Sequence, residues 1–308
     1  MKNKILTGLL LVLIGGWGSL SAQSAGSNYS RQVNTLIGTK GVGLTSGYLY
    51  PGATYPYGMV QFTPSYFSKR SGFVINQLSG GGCEHMGNFP TFPVKGKLKM
   101  SPDNILNYRI NISEEKGHAG YYEAMVQEDI KAKLTVTERT GMASYEYPAD
   151  QQYGTVIIGG GISATPIEQA AIVITAPNKC EGYAEGGNFC GLRTPYKVYF
   201  VAEFDTDALE SGTWKRNELK PNTTFAEGEY SGVYFTFDVN KKKNIQYKIG
   251  VSYVSVENAR ENLKAENTGW DFLQIQNQAE SKWNHYLGKI EVEGTNPDRT
   301  TQFYTHLY

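Results

Sequence analysis

The 308-residue chain lacks an excess of either charge, is poor in cysteine and, beyond its first thirty residues, has no long apolar run. Its 29 Lys and Arg are balanced by 29 Asp and Glu. It therefore lacks the clustered basic footprint that phosphate binding requires, and nucleic acid is excluded as the expected partner. No later segment approaches the length of a membrane span. No Cys/His spacing resembles a zinc site, and neither internal repeats nor low-complexity segments occur. No cysteine lies near a leader cleavage region, so a lipid anchor has no residue to modify.

Only three cysteines are present, Cys83, Cys180 and Cys190. An odd count allows at most one intramolecular pair in an oxidising compartment. Cys180 with Cys190 is the predicted pair, because they flank a glycine-rich segment, Glu181 to Phe189, whose closure entropy a disulfide would remove from the unfolded ensemble. Cys83 is then left free, either as a small buried hydrophobe or as a residue facing a pocket.

What is present begins with a leader pattern. Lys2 and Lys4 precede an apolar run from Ile5 to Ile14, and the small residues Ser19, Ser21, Ala22 and Ala25 follow. This reads as a signal peptide over residues 1–25, and predicts a soluble protein exported to the periplasm or beyond the cell.

Period-two alternation then recurs between residues 97 and 256. Ala132, Leu134 and Val136 alternate with Lys131, Lys133 and Thr135, and Ile245, Tyr247, Ile249, Val251 and Tyr253 alternate with Gln246, Lys248, Gly250 and Ser252. Tyr196 to Phe204 and Val233 to Val239 add two further strands. Many half-buried strands with no long helical pattern between them predict a mostly β chain, an antiparallel β-sandwich over residues 26–256. The 22 tyrosines suit its strand surfaces.

After Ser255 the period changes. Ala259 and Leu263 have helical spacing, and beyond a break at Thr268-Gly269 the set Phe272, Ile275, Ala279, Trp283, Leu287 and Ile290 continues it. Residues 257–308 are thus predicted to be a helical connector. Thr268, three residues ahead of Asp271, fits a capping box for its second helix. Trp270 and Trp283 are read as packing residues. The aromatic pattern Phe303-Tyr304-Thr305-His306-Leu307-Tyr308 ends without a glycine or proline terminator, which reads as a chain stopping inside an element. Asn222-Thr223-Thr224 reads as an exposed turn.

The most distinctive stretch runs from Tyr50 to Gly96. Tyr50-Pro51-Gly52-Ala53-Thr54-Tyr55-Pro56-Tyr57-Gly58-Met59 is followed by Leu78-Ser79-Gly80-Gly81-Gly82-Cys83-Glu84-His85. Prolines and glycines prescribe its backbone while a few polar side chains interrupt aromatics, which points to a shaped binding loop.

Several of these segments, in this order, resemble the N-terminal domain of glycoside hydrolase family 92, the exo-acting α-mannosidases. Val33-Asn34-Thr35-Leu36-Ile37-Gly38-Thr39 looks like its opening strand. Pro51 to Gln61 looks like its Pro-Gly-Ala and Pro-Phe-Gly-Met signature, with Tyr57 in place of Phe. Leu78 to Cys83 matches its Leu-Ser-Gly-x-Gly-Cys loop. Gly120-Tyr121-Tyr122 and Leu134 to Arg139 resemble two later segments, with Ala119 where the family has proline. Ser252 to Arg260, Asn262-Leu263, Trp283 and Phe303 to Tyr308 are similar to the stretch leading into the second domain.

The resemblance implies a sandwich of the galactose-mutarotase-like supersandwich type preceding an (α/α)6 catalytic barrel, and calcium-dependent, inverting release of terminal mannose from α-mannosides of glycans. In the family the two catalytic carboxylates and the calcium ligands belong to the barrel. This chain is therefore expected to carry in residues 257–308 only the helical linker and the start of that barrel, to hold no catalytic residue and no metal ligand, to be inactive alone, and to have the C-terminal catalytic domain as its partner. The resemblance implies substrate contact at Gln77, Ser79, Gly80, Gly81, Gly82, Cys83, Glu84 and His85. The glycines let backbone donors approach a sugar, and Glu84 and His85 are able to bond hydroxyls. Gln77 stands where many members have histidine. Two rival readings are a free-standing carbohydrate-binding module and an interaction scaffold for a partner domain.

Overall fold

The computed structural model of the chain describes residues 28–39, 49–65, 72–103 and 111–308. The leader predicted over residues 1–25 lies outside them. Among the described residues two antiparallel sheets face each other. One has eight strands in the spatial order β1 (Ala53–Thr54), β2 (Gln61–Pro64), β3 (Phe73–Val74), β4 (Thr91–Lys95), β9 (Tyr153–Gly159), β16 (Ser231–Asp238), β13 (Glu210–Lys215) and β14 (Glu218–Pro221). The other has nine: β15 (Phe225–Glu227), β10 (Ile167–Ala176), β11 (Lys179–Phe189), β12 (Leu192–Phe204), β17 (Asn244–Ser252), β8 (Thr140–Glu146), β7 (Ile130–Val136), β6 (Tyr121–Val126) and β5 (Ile112–His118). The mostly β sandwich read from the alternation is the observed fold.

The pleat explains the layering. On β7, Ile130, Ala132 and Leu134 are fully buried while Lys131 and Lys133 turn outward, and Leu134 pairs with Ala143 of β8. The buried faces contribute a core rich in aromatic rings: Phe62, Phe73, Tyr122, Tyr145, Phe200, Phe204, Phe235 and Tyr247 are all in it. Phe204 lies 5.0 Å from Phe235 and 5.3 Å from Tyr247, spacings at which tilted rings gain beyond area burial.

Three helices follow: α1 (Val256–Glu266), α2 (Phe272–Leu287) and α3 (Pro297–Leu307). Ser255 caps α1 by accepting from the Asn258 amide, and Asn296 caps α3 with Pro297 in its first turn. The α1 residues Ala259 and Leu263 pack on Val201, and a Cβ at Gly250 would sit 2.6 Å from the Ala259 carbonyl oxygen, so only glycine allows this approach. Helices α2 and α3 close a second, smaller core with the 3-10 turn Tyr29–Gln32: Val33, Ala119, Trp283, Leu287 and Tyr304. Among the described residues no helix is long and apolar enough to cross a membrane.

Three expectations are overturned. The disulfide joins Cys83 to Cys190, across 107 residues and with a Cα separation of 5.4 Å, and Cys180 is free and fully buried. Cys180 and Cys190 cannot pair because Glu181 to Phe189 runs within the extended strand β11, which at ~3.3 Å per residue holds them roughly 30 Å apart. Cys180 faces the core, where burial pushes its thiol pKa well up. Closing so long a loop stabilises the fold on the order of 2–4 kcal/mol. Secondly, Val33 to Thr39 forms turns, with no strand. Thirdly, the cap of α2 is Asp271 itself, accepting from the Gln274 amide at 3.0 Å, so the helix begins one residue after it and Thr268 lies outside the motif. The Asn222 turn is exposed, as expected.

Candidate functional site

A cleft of about 590 Å³ opens where the edge of the smaller sheet meets the end of β17 and the last turn of α3. Its walls come from the turn at Thr35 and Ile37, the Tyr50 to Gln61 segment, Asn76 to Ser79, Met86 and Tyr253, with Thr305 in the last turn of α3 and Tyr308 at its end. The pieces are fastened by polar contacts through main-chain groups. Thr35 Oγ1 donates to the Pro51 carbonyl at 2.7 Å, Trp283 Nε1 to the Thr54 carbonyl at 2.7 Å, and the Asn34 amide to Thr305 Oγ1 at 3.0 Å. The hydroxyls of Thr54 and Tyr308 are bonded to each other.

Behind the cleft lies a buried amide pair. The Asn88 amide donates to Asn76 Oδ1 at 2.7 Å, Asn76 Nδ2 returns a bond to Asn88 Oδ1 at 3.0 Å, and Tyr196 OH donates to Asn88 Oδ1 at 2.8 Å. Asn76 Nδ2 also reaches Tyr253 OH at 3.4 Å, which ties this network to the cleft surface. Burial pushes the Tyr196 and Tyr308 hydroxyls up to about 12 and raises Tyr55 and Tyr253, so the phenols are neutral hydrogen-bonding groups at ordinary pH.

The rim is apolar. Ile37, Leu49, Met59, Leu78 and Tyr253 are each 37–44% exposed, and all five line this one cleft. Such clustering marks a surface that binds something. No Asp, Glu or His lines it, and every Asp and Glu of the sequence lies among the described residues. The cleft can therefore hold and orient a neutral polar ligand, with hydroxyls and amides rather than carboxylates or imidazoles facing it.

The residues picked out by sequence divide into two sets. Gln77 and Ser79 line the cleft. The Ser79 hydroxyl accepts from the Tyr50 amide at 3.2 Å, and Gln77 Nε2 donates to the His85 carbonyl at 2.8 Å, so Gln77 braces the loop from inside. Gly80, Gly81, Gly82, Cys83, Glu84 and His85 do not line it. They stand beside it, against the tip of the β11–β12 hairpin: the His85 ring meets Phe189 edge-on at 5.1 Å and Tyr196 at 5.7 Å, and Cys83 is bonded to Cys190. Glu84 is half-buried, and burial raises its pKa. Tyr196 and Tyr253 entered the sequence reading only as strand residues, and Asn76 and Asn88 escaped it. The signal available for them was amide residues inside otherwise apolar stretches, Ile75-Asn76-Gln77 and Gly87-Asn88-Phe89. Among the described residues no three His, Cys, Asp or Glu side chains converge to hold a metal ion. The calcium implied by the resemblance thus finds no such donor set among these residues.

Residues 32–252 match the model of the glycosyl hydrolase family 92 N-terminal domain, and residues 258–308 match that of the family 92 catalytic domain. A protein of Arthroderma benhamiae named as an uncharacterized secreted glycosidase is 26% identical over 85% of this chain and 38% of its own length. A family 92 α-mannosidase from Bacteroides thetaiotaomicron superimposes with a TM-score of 0.77 at 24% identity, covering 91% of this chain and 41% of that one. A family 92 inverting mannosidase from the same organism gives 0.76 at 23%, covering 91% and 39%. The structural likenesses establish the fold. The chain spans about two fifths of the length of each of these relatives.

Proposed function

Because the chain belongs to glycosyl hydrolase family 92, we propose that it forms the non-catalytic wall of an α-mannoside cleft in an exported inverting mannosidase. The 590 Å³ cleft, apolar at its rim and free of carboxylates, carries the reading. Inverting hydrolysis needs one carboxyl to protonate the leaving oxygen and a second, roughly 6.5–9.5 Å away, to activate water. The cleft lining supplies neither, so cleavage falls to a catalytic domain that meets this rim, and residues 258–308 are its beginning. What these residues contribute is shape and neutral hydrogen bonding. Tyr253 lines the cleft with its hydroxyl already bonded by Asn76, Gln61 lines it too, and the aliphatic rim is suited to exclude water from the sugar's apolar face. The secreted relative and the leader pattern support export.

The test is direct. The purified chain, with or without calcium, is expected to release no aryl leaving group from an aryl α-mannoside. NMR titration with methyl α-mannoside is expected to shift signals of Gln61, Asn76, Ser79 and Tyr253, and Tyr253→Ala is expected to abolish those shifts. Turnover by the pure chain that disappears on substitution of one of its own carboxylates overturns the proposal, as does binding that leaves the cleft signals unmoved.

A further inference from the structure

The loop from Leu78 to Phe89 reaches the cleft wall through Leu78, Ser79 and Met86, yet it has almost no regular structure to hold it. Gly80, Gly82 and Gly87 have positive φ, and so do the non-glycine residues Met86 and Phe89, at 59° and 54°. Side chains in that region of backbone space are strained and persist only where their surroundings impose them. On the inner side the surroundings are plain: Gln77 bridges to Met86, Gln77 Nε2 bonds the His85 carbonyl, and the Ala164 amide donates to the Met86 carbonyl at 2.8 Å. On the outer side, among the described residues, no backbone hydrogen bond ties residues 78–84 to a strand. Besides the Tyr50 amide, which donates to the Ser79 hydroxyl at 3.2 Å, what reaches them comes from the β11–β12 hairpin tip. Cys190 is bonded to Cys83, and the Phe189 ring lies against Gly81, where a Cβ would be 3.3 Å from Cε2, and against the edge of His85.

The tip itself is well fixed. Phe189 pairs with Leu192 in the ladder, the Gly191 amide donates to Asn188 Oδ1 at 2.9 Å, and Arg193 grips Glu168 of β10 with two bonds of 3.0 and 2.8 Å. The hairpin therefore acts as a post and the loop as the part fastened to it. Cys190 is exposed and Cys83 half-exposed, so the bond is open to attack, whereas Cys180 is sealed in the core.

We propose that Phe189 and Cys190 are positioning residues for the cleft wall, and that reduction of the Cys83–Cys190 bond alone loosens this wall while the sandwich stays folded. The chemistry is thiol–disulfide exchange with a dithiol. A thiolate attacks the Cys190 sulfur, the S–S bond breaks, and Cys83 leaves as a thiolate that takes up the proton the reductant has given to solvent. The reductant's second thiolate then attacks its own sulfur in the mixed disulfide, releasing Cys190, so two protein thiols form as the dithiol closes to its own disulfide. The consequence for sugar binding rests on the cleft being the mannoside wall proposed above; the effect on the loop does not.

Hydrogen exchange followed by mass spectrometry, on the full chain with and without dithiothreitol, decides it. Native reduction is expected to expose two thiols, with Cys180 unreactive until denaturant is added. Amides of residues 78–86 are expected to exchange about tenfold faster, with β7, β8 and β17 unchanged. Removal of the dithiol and reoxidation should restore protection. Phe189→Ala should add to the loosening in the reduced chain, and Phe189→Tyr, which keeps the ring, should not. A Cys83→Ser, Cys190→Ser double variant should exchange like the reduced chain. Reaction of all three thiols together, or loop amides whose exchange is the same in both states, overturns the proposal. Methyl α-mannoside titrated into both states separates the two readings: failure to bind in either counts against the mannoside wall alone, and equal affinity in both counts against the positioning role.

Discussion

Asn76 and Asn88 show how a cleft can be set from behind. Each amide serves the other, Asn88 is wholly buried, and the pair fixes Tyr196 and Tyr253 at the same time. Asn76→Ala strips the Asn88 amide of its acceptor and Asn88 Oδ1 of a donor. It is expected to lower stability by about 1–3 kcal/mol, read as a shift of the urea midpoint with unchanged slope. Little of this was legible in the sequence. Amides within apolar runs can be seen, but their mutual partners, 12 residues apart, depend on how the intervening loop folds back. The cysteines teach the same lesson more sharply. Glycines between Cys180 and Cys190 look like turn formers. In the fold Gly182 and Gly187 sit in a strand, where a Cβ would lie 2.1 Å from the Ala171 carbonyl oxygen and 2.0 Å from that of Thr194. They are there for close approach of neighbouring backbone, and local spacing cannot distinguish that from a turn.

At the scale of elements the sequence was far more informative. Strands β7, β12, β16 and β17 and helices α1 and α2 follow from the period of their apolar residues, because one buried face imposes that period directly. The helix boundaries were less legible, since Thr268 and Asp271 are both good caps and packing chose the latter. The seat of α2 carries a titratable device. His118 lies with Nε2 3.6 Å from Glu280, whose carboxylate is held by Arg31 at 3.0 Å and by Gln276 at 2.7 Å; Tyr121 stacks on the imidazole and Glu123 lies beyond. Burial is the largest influence and, against the opposing pull of Glu280, lowers the His118 pKa. The unfolded chain, with an imidazole pKa of about 6.5, then takes up a proton before the folded one does. Stability is accordingly full at pH above that value and is lost as the pH falls through the lowered native one. His118→Gln is expected to flatten this acid-side decline, measured as the melting temperature between pH 7.5 and 5.

For the whole molecule, the decisive feature is that, among the described residues, a second core stands apart from the main one, in addition to a still smaller cluster under α1. The large one lies between the sheets. The small one, around Val33, Trp283, Leu287 and Tyr304, is built from both ends of the described chain. Tyr304 is 1% exposed, donates to the Ile290 carbonyl and accepts from the Val292 amide. Tyr304→Ala should cost about 3–5 kcal/mol locally. We expect α3 and the Tyr29–Gln32 turn to lose exchange protection while the sandwich strands keep theirs; simultaneous loss everywhere would show that the two cores melt as one. The small core also imposes a timetable on synthesis. The Ser30 amide donates to Asn284 Oδ1 across 254 residues, and Arg31 meets Glu280 across nearly as many. At roughly 5–20 residues per second, a nascent chain waits some ten seconds to a minute for the far half of this seam to leave the ribosome. Until then the apolar residues on the near side of this seam have no native surface to rest against.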